Sequence, residues 1–376
     1  MRTNTITLAL SIMASLGSSS VSGQEENQVD SSSVPAQEEN QDEVHPALLH
    51  PFWLGLSPLA APYTLTEADR EKFGGSFGVD LSHYSFDIAN SDPKCKTQSR
   101  YTDPSCSCTI NWEILSDNKL EYVYMKATDG AAVDLSFPRF WSELEPKHAS
   151  NLLFRGAYHF LRPGVDPEKQ ANTFLRAIGA IDGRKPAQLP PVLDIEWSNK
   201  RVKPGTREFK ACPKNRLVKN DKGIYYCDMW FRVSSAGIAA IAKEWIDKVE
   251  RGTGRPVIIY TNPTGWWNPV MEDSGEELMK KQAVWTSRYT SAGPQYDSKW
   301  TGEGGSPQWN MAPLPRGASY PSDEYNIPHF WQFSANGYLP SNVFTCSGNL
   351  EARAMDMNWV PVSASEYPAL FGVAQR

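Results

Sequence analysis

The chain has no apolar run reaching the ~18 residues that a membrane-spanning helix needs, so a soluble protein that does not engage a membrane is expected. Nor does it contain an Asn-x-Ser/Thr sequon with a permitted middle residue, which argues against N-glycosylation. Cysteines at zinc-ligand spacing are missing too: Cys106-Ser-Cys108 is too tight, and no second ligand pair lies nearby. No metal and no cofactor is therefore expected. Lysine and arginine are absent from residues 24–43, which carry seven acids. Once that segment and Arg2 are set aside, the net charge of −6 disappears and the rest of the chain is formally neutral. The acidity belongs to a tail, and a neutral body without a recognisable binding motif gives no support to a nucleic-acid role.

What is present begins with a leader. Arg2, the apolar stretch from Ile6 to Leu16 and the small residues Val21-Ser22-Gly23 have the order of a secretory signal over residues 1–23, so a secreted, extracellular protein is expected. The six cysteines (Cys95, Cys106, Cys108, Cys212, Cys227 and Cys346) form an even set that suits disulfides in an oxidising compartment. Residues 24–46 repeat Gln24-Glu-Glu-Asn-Gln28 as Gln37-Glu-Glu-Asn-Gln41; low hydropathy and like charge cannot offset the entropy of ordering, and a disordered linker is expected. A Pro-rich N-terminal extension follows over 47–75. The folded body is expected over 76–362, with a tail at 363–376.

Within that body, short strand-like runs recur at wide intervals: 77–80, 122–126, 154–158, 191–195, 256–260, 283–286, 330–333 and 355–358. Eight such runs predict a mostly parallel α/β barrel. Helical patterns cover 138–150, 166–181 (with Pro167 in its first turn) and 234–249, the last with Gly252 past its end. Few helices join the last strands, so the fold expected is an irregular (β/α) TIM-like barrel with eight strands and a reduced set of helices. Two insertions carry most of the cysteines. Residues 92–111 hold Cys95, Cys106 and Cys108, and residues 198–232 hold Cys212 and Cys227 with ten Lys/Arg against three acids. A Cys212–Cys227 bridge is predicted. Because strand eight closes against strand one, Cys346 is expected beside the first insertion, paired with one of its cysteines.

Active sites of such barrels form where the carboxyl ends of the strands converge. The run Leu189-Pro-Pro-Val-Leu-Asp-Ile-Glu-Trp197 ends in two acids spaced i, i+2, so Asp194 and Glu196 project to one side of the strand. Asp80 on the first strand and Asp356 on the eighth converge on the same opening. Four carboxyl groups at one mouth repel, and at least one should hold a proton near neutral pH, as general-acid cleavage of a glycosidic bond requires. The aromatic residues Tyr124, Tyr158, Trp197, Tyr260, Trp285, Tyr289 and Trp331 accumulate at the same ends, where ring faces can stack on sugars. His83 and His159 are read as hydrogen-bonding wall residues.

Taken in order, Phe77-Gly-Val-Asp-Leu-Ser-His83, Tyr124-Met-Lys-Ala-Thr-Asp-Gly130, Arg155-Gly-Ala-Tyr-His-Phe160, Val192-Leu-Asp-Ile-Glu196, Ile259-Tyr-Thr-Asn262, Phe330-Trp-Gln-Phe333 and Met355-Asp-Met-Asn358 resemble the successive motifs of family 25 glycoside hydrolases, the Chalaropsis-type lysozymes or N-acetylmuramidases. The resemblance implies a secreted hydrolase that cleaves the β-1,4 bond between N-acetylmuramic acid and N-acetylglucosamine in peptidoglycan glycan strands. It makes Glu196 the general acid, sets Asp194 beside it, completes the acidic site with Asp80 and Asp356, and puts Tyr158 in the pocket. A monomer is expected. The two cysteine-bearing insertions and the acidic tail depart from the family pattern. Two alternatives stay open: a wall-binding protein that keeps the fold without catalysis, which the full acid set opposes, and a chitin-directed hydrolase, whose longer acidic run is replaced here by Pro190-Pro-Val192.

Overall fold

A computed structural model of the chain describes residues 63–86, 108–149, 153–179, 189–220, 223–288, 315–316, 318, 328–346, 349–351 and 355–371. The leader, the acidic linker, most of the Pro-rich extension, Cys95, Cys106 and Tyr289 lie outside the described residues.

Eight strands close a barrel: β1 (Ser76–Leu81), β2 (Tyr122–Asp129), β3 (Phe154–Phe160), β4 (Val192–Asp194), β5 (Ile258–Thr261), β6 (Ala283–Ser287), β7 (Phe330–Tyr338) and β8 (Met355–Val360). Neighbours in sequence are neighbours round the ring, and β8 completes it by pairing with both β1 and β7. Strands β1 to β7 run parallel, whereas β8 is antiparallel to both of its neighbours. Among the described residues between β7 and β8 there is no crossover helix, and β8 returns antiparallel beside β7.

Alternation sorts each strand into an inward and an outward face. Tyr122, Tyr124, Phe154, Val192, Ile258, Tyr260, Ala283, Trp285, Phe330 and Val360 form one buried cluster that fills the barrel. Leu81, Val123, Met125, Leu193, Ile195, Val284 and Trp331 belong to a second cluster between the sheet and its cover. The tyrosine rings fit inside because glycines face them. A Cβ on Gly78 would lie 2.3 Å from the Tyr122 ring, and one on Gly156 2.2 Å from the Tyr124 ring.

The cover includes α1 (Phe137–Ala149), α2 (Pro167–Ala177) and α3 (Ser235–Thr253). The Asp166 carboxylate caps α2 through the Lys169 amide at 2.7 Å, and Ser234 caps α3 through the Gly237 amide at 3.1 Å. The latter helix does not stop before Gly252. It continues to Thr253 and ends on Gly254, whose φ of 66° is the left-handed conformation that glycine adopts freely. Gly252 serves packing instead, since a Cβ there would meet the Leu175 side chain of α2 at 2.8 Å.

Both edges of the body extend beyond residues 76–362. Upstream, Tyr63–Thr64 adds a parallel strand beside Gly337 and Tyr338 of β7, followed by the capped helix Glu67–Phe73. Downstream, α4 (Tyr367–Phe371) closes the barrel floor. Its Tyr367 ring meets Phe154 at 4.9 Å, and Phe371 meets Phe330 at 5.9 Å.

The second insertion is a small three-stranded sheet. Tyr225–Asp228 lies between Asn199–Val202 and Leu217–Lys219, both antiparallel to it. Its Cys212–Cys227 disulfide is the one expected from the sequence. Elsewhere, Phe344–Cys346 pairs with Cys108–Ile110, which sets Cys346 opposite Cys108 and beside the first insertion, as barrel closure requires.

Candidate active site

The site lies at the end of the barrel where β1 to β7 finish and β8 begins. The reversal of β8 decides this: Asp356 is the second residue of its strand, and the antiparallel register places it directly opposite Asp80. In a parallel eighth strand the same residue would fall near the floor. On β4, Val192 and Asp194 point inward while Leu193 and Ile195 face the cover. The backbone then leaves the sheet under control. The Leu161 amide donates to the Asp194 carbonyl at 3.0 Å, the Ile195 amide to the Tyr260 carbonyl at 2.9 Å, and the Thr261 hydroxyl to the Ile195 carbonyl at 2.7 Å. Glu196 follows two residues beyond the end of the strand, only 8% exposed.

Asp80 is held by three side chains. Its Oδ2 accepts from Gln332 Nε2 and Asn358 Nδ2, both at 2.8 Å, and it hydrogen-bonds Asp356. The two amides are themselves fixed. Tyr260 donates its hydroxyl proton to Gln332 Oε1 at 2.8 Å, and Trp285 Nε1 donates to Asn358 Oδ1 at 2.9 Å. Burial is the main force on the acids. It pushes Asp80 up to about 6, against the pull of its two amide donors, and it pushes Asp194 and Asp356 well above the ordinary carboxylate range. Repulsion from Glu196 adds to the rise at all three. The buried Lys126, inward on β2, opposes it at Asp194. A cluster of this kind retains protons near neutral pH.

Tyr158, half-buried on β3, stands among Asp80, Asp194, Asp134 and Asp356; burial first, then those charges, hold its hydroxyl protonated. On the rim, His83 Nδ1 lies 2.6 Å from Asp134 Oδ2. Burial alone would raise Asp134, but the His83 hydrogen bond keeps it below its usual value. Arg162 clasps Asp129 through Nε at 2.5 Å and Nη2 at 2.8 Å.

Most aromatic residues proposed as sugar platforms are placed elsewhere. Tyr124 is fully buried inside the barrel, its hydroxyl on the Pro190 carbonyl at 3.1 Å. Trp285, 2% exposed, packs 5.0 Å from the Tyr124 ring. Tyr260 and Trp285 are linked to Asp80 through Gln332 and Asn358. Trp197 and Trp331 face outward into the core beneath the cover, and Trp331 Nε1 donates to the Arg288 carbonyl. His159 is likewise not a wall residue: it faces the cover, stacked 5.1 Å from Trp245, with Thr128 and Gln170 on its ring nitrogens, and burial lowers it to about 3. Two causes act: Trp197, Trp331 and His159 lie on the outward parity, whereas Tyr124, Tyr260 and Trp285 point inward but are enclosed below the mouth, and neither position meets a ligand.

Gln332, Asn358 and Lys126 were legible but unassigned. Each lies on the inward parity of its strand, Asn358 two residues from Asp356 and Gln332 two from Phe330.

A model of a protein family described as "Glycosyl hydrolases family 25" matches residues 105–342. The chain belongs to glycosyl hydrolase family 25. Among its relatives are Lysozyme M1 of Streptomyces globisporus, 24% identical over 61% of this chain and 59% of that one, and N,O-diacetylmuramidase of a Chalaropsis species, 28% identical over 46% and 68%. The chain spans between about half and two thirds of the length of the curated relatives it matches, from 48% to 68%. The solved lysozyme of Streptomyces coelicolor aligns with 79% of this chain and 97% of its own, at 22% identity and a TM-score of 0.46. Family membership agrees with the closed eight-stranded barrel, with its few helices.

Proposed function

We propose that the protein is a secreted lysozyme that hydrolyses the β-1,4 bond between N-acetylmuramic acid and N-acetylglucosamine in bacterial peptidoglycan. The observation that carries this reading is the convergence of Asp80, Asp194, Glu196 and Asp356 on one barrel mouth in a chain of this family. The names of relatives, a lysozyme and a muramidase, support the substrate class.

Glu196 is the general acid. It protonates the leaving glycosidic oxygen as the bond to the muramic acid C1 breaks, and afterwards takes a proton from the incoming water. Positive charge develops on the sugar ring, and Asp194, on the same side of the chain two residues earlier, faces it. Asp194 either attacks C1 or orients the substrate's N-acetyl oxygen to do so; a retaining outcome fits both. Asp80 and Asp356, hydrogen-bonded to each other, share a proton and keep the mouth from carrying four full charges. Tyr158 offers a hydroxyl donor in the pocket. The protein acts as a monomer outside the cell that makes it, after loss of residues 1–23.

Replacing Glu196 with Gln tests the assignment. The variant should lose cleavage of insoluble peptidoglycan while still sedimenting with it. Retained turnover would remove Glu196 from its role.

A further inference from the structure

The stretch Glu196-Trp-Ser198 is held from outside the barrel, by the second insertion. Trp230 Nε1 donates to the Glu196 carbonyl at 2.9 Å, and the Met229 amide donates to the Ser198 carbonyl at 3.0 Å. Asp228, the residue before them, is completely buried. Its Oδ1 accepts from the Ser198 amide at 3.0 Å and the Trp230 amide at 3.2 Å. Its Oδ2 accepts from Trp266 Nε1 and Arg216 Nη1, each at 2.9 Å. One carboxylate thus ties together three pieces: the loop carrying Glu196, the last strand of the insertion, and Trp266 after β5. Arg216 lies inside the loop closed by Cys212–Cys227, and Cys227 is the residue before Asp228.

We propose that Asp228 is a positioning residue for Glu196, and that the disulfide-closed insertion is the clamp that presents Arg216 to it. The inference rests on the reading of Glu196 as general acid. Four donors converging on one buried carboxylate fix the carbonyl of Glu196 through Trp230 and the amide two residues on; with the Ile195 carbonyl held by Thr261 on the other side, the backbone flanking the Glu196 side chain is pinned at both ends. The reason for a charged acceptor is geometric: an amide in its place could accept at one oxygen, but its NH2 would face the donors of Trp266 and Arg216.

The test compares the full chain with Asp228→Asn, Arg216→Met and Arg216→Lys. In Asp228→Asn, kcat on peptidoglycan should fall about tenfold or more with KM within about twofold, since displacing a reacting group by a fraction of an ångström costs turnover before binding. Amide exchange at Ser198 should quicken in the same variant. Arg216→Lys, which keeps a donor and a charge, should retain most of the kcat that Arg216→Met loses, a rescue that a merely structural role would not require. A folded Asp228→Asn protein with wild-type kcat, or with unchanged exchange at Ser198, overturns the proposal. Should that variant not fold, equal kcat in the two Arg216 variants overturns it. If the wild-type protein leaves peptidoglycan intact, the proposed function fails, and Ser198 exchange alone then decides the positioning claim.

Discussion

Asp80→Asn should make the protein more stable above neutral pH while impairing its chemistry. Asp80 is a buried carboxyl whose folded value stands at about 6 against an ordinary 3.8. A group raised on folding binds protons more tightly in the native than in the unfolded state. Its stabilising contribution is complete below about pH 4 and is lost as pH rises through about 6. The difference of roughly two units corresponds to about 3 kcal/mol. Asparagine has nearly the same shape, accepts from Gln332 and Asn358 with its oxygen, and can donate to Asp356 with its nitrogen. It carries no charge to desolvate at any pH. At pH 8 the variant should therefore gain up to about 3 kcal/mol, or roughly 5 °C in unfolding midpoint for a domain of this size. At pH 4 the two proteins should unfold together. Thermal unfolding by circular dichroism across pH 4–8 gives the comparison. A difference that stays constant with pH, or a variant weaker at pH 8 than at pH 4, would refute the idea that burial of this carboxyl is held against the fold.

The packing of the barrel interior gives a second expectation. Gly156→Ala places a methyl group 2.2 Å from the Tyr124 ring, inside a layer with no room to yield; a loss of at least 1–3 kcal/mol is expected in denaturant unfolding, with Gly156→Ser no better. Trp331 gives a third. Because it packs beneath the cover and not at the mouth, Trp331→Leu should lower stability by about 2–4 kcal/mol and leave the KM of the folded enzyme unchanged; a rise in KM without loss of stability would return Trp331 to the binding site.

The strands were legible because each apolar run is short, bounded by turn residues and separated by the wide spacing that crossovers need. The acid pair of β4 was legible for the same reason: period two puts Asp194 and Glu196 on one side, and Leu193 and Ile195 on the other, whatever the neighbours do. Direction was not legible. Nothing in Met355-Asp-Met-Asn358 shows that β8 runs against the others, yet only that reversal brings Asp356, at the start of its strand, to the mouth. The aromatics misled because height along a strand was read without parity and depth. Tyr124 and Trp285 are inward but enclosed beneath the acids, and Trp331 is one residue out of phase with Gln332, which does reach Asp80. The edges escaped notice too, since Tyr63–Thr64 and Tyr367–Phe371 are too short to carry a period. Gly252 looked like a helix stop because glycine is common there, while here it makes room for Leu175. Asp228 lies in an insertion marked in the sequence by its ten basic residues; its tie to the Glu196 loop depends on contacts 30 and 34 residues apart in sequence.

Whether this acidic mouth cuts muramic acid from glucosamine is decided by the identity of the new chain end. Purified protein incubated with peptidoglycan and, in parallel, with chitin should release fragments from the first alone, and mass spectrometry after borohydride reduction should find N-acetylmuramitol at the new reducing ends. N-acetylglucosaminitol at those ends, or release from chitin in place of peptidoglycan, would contradict it.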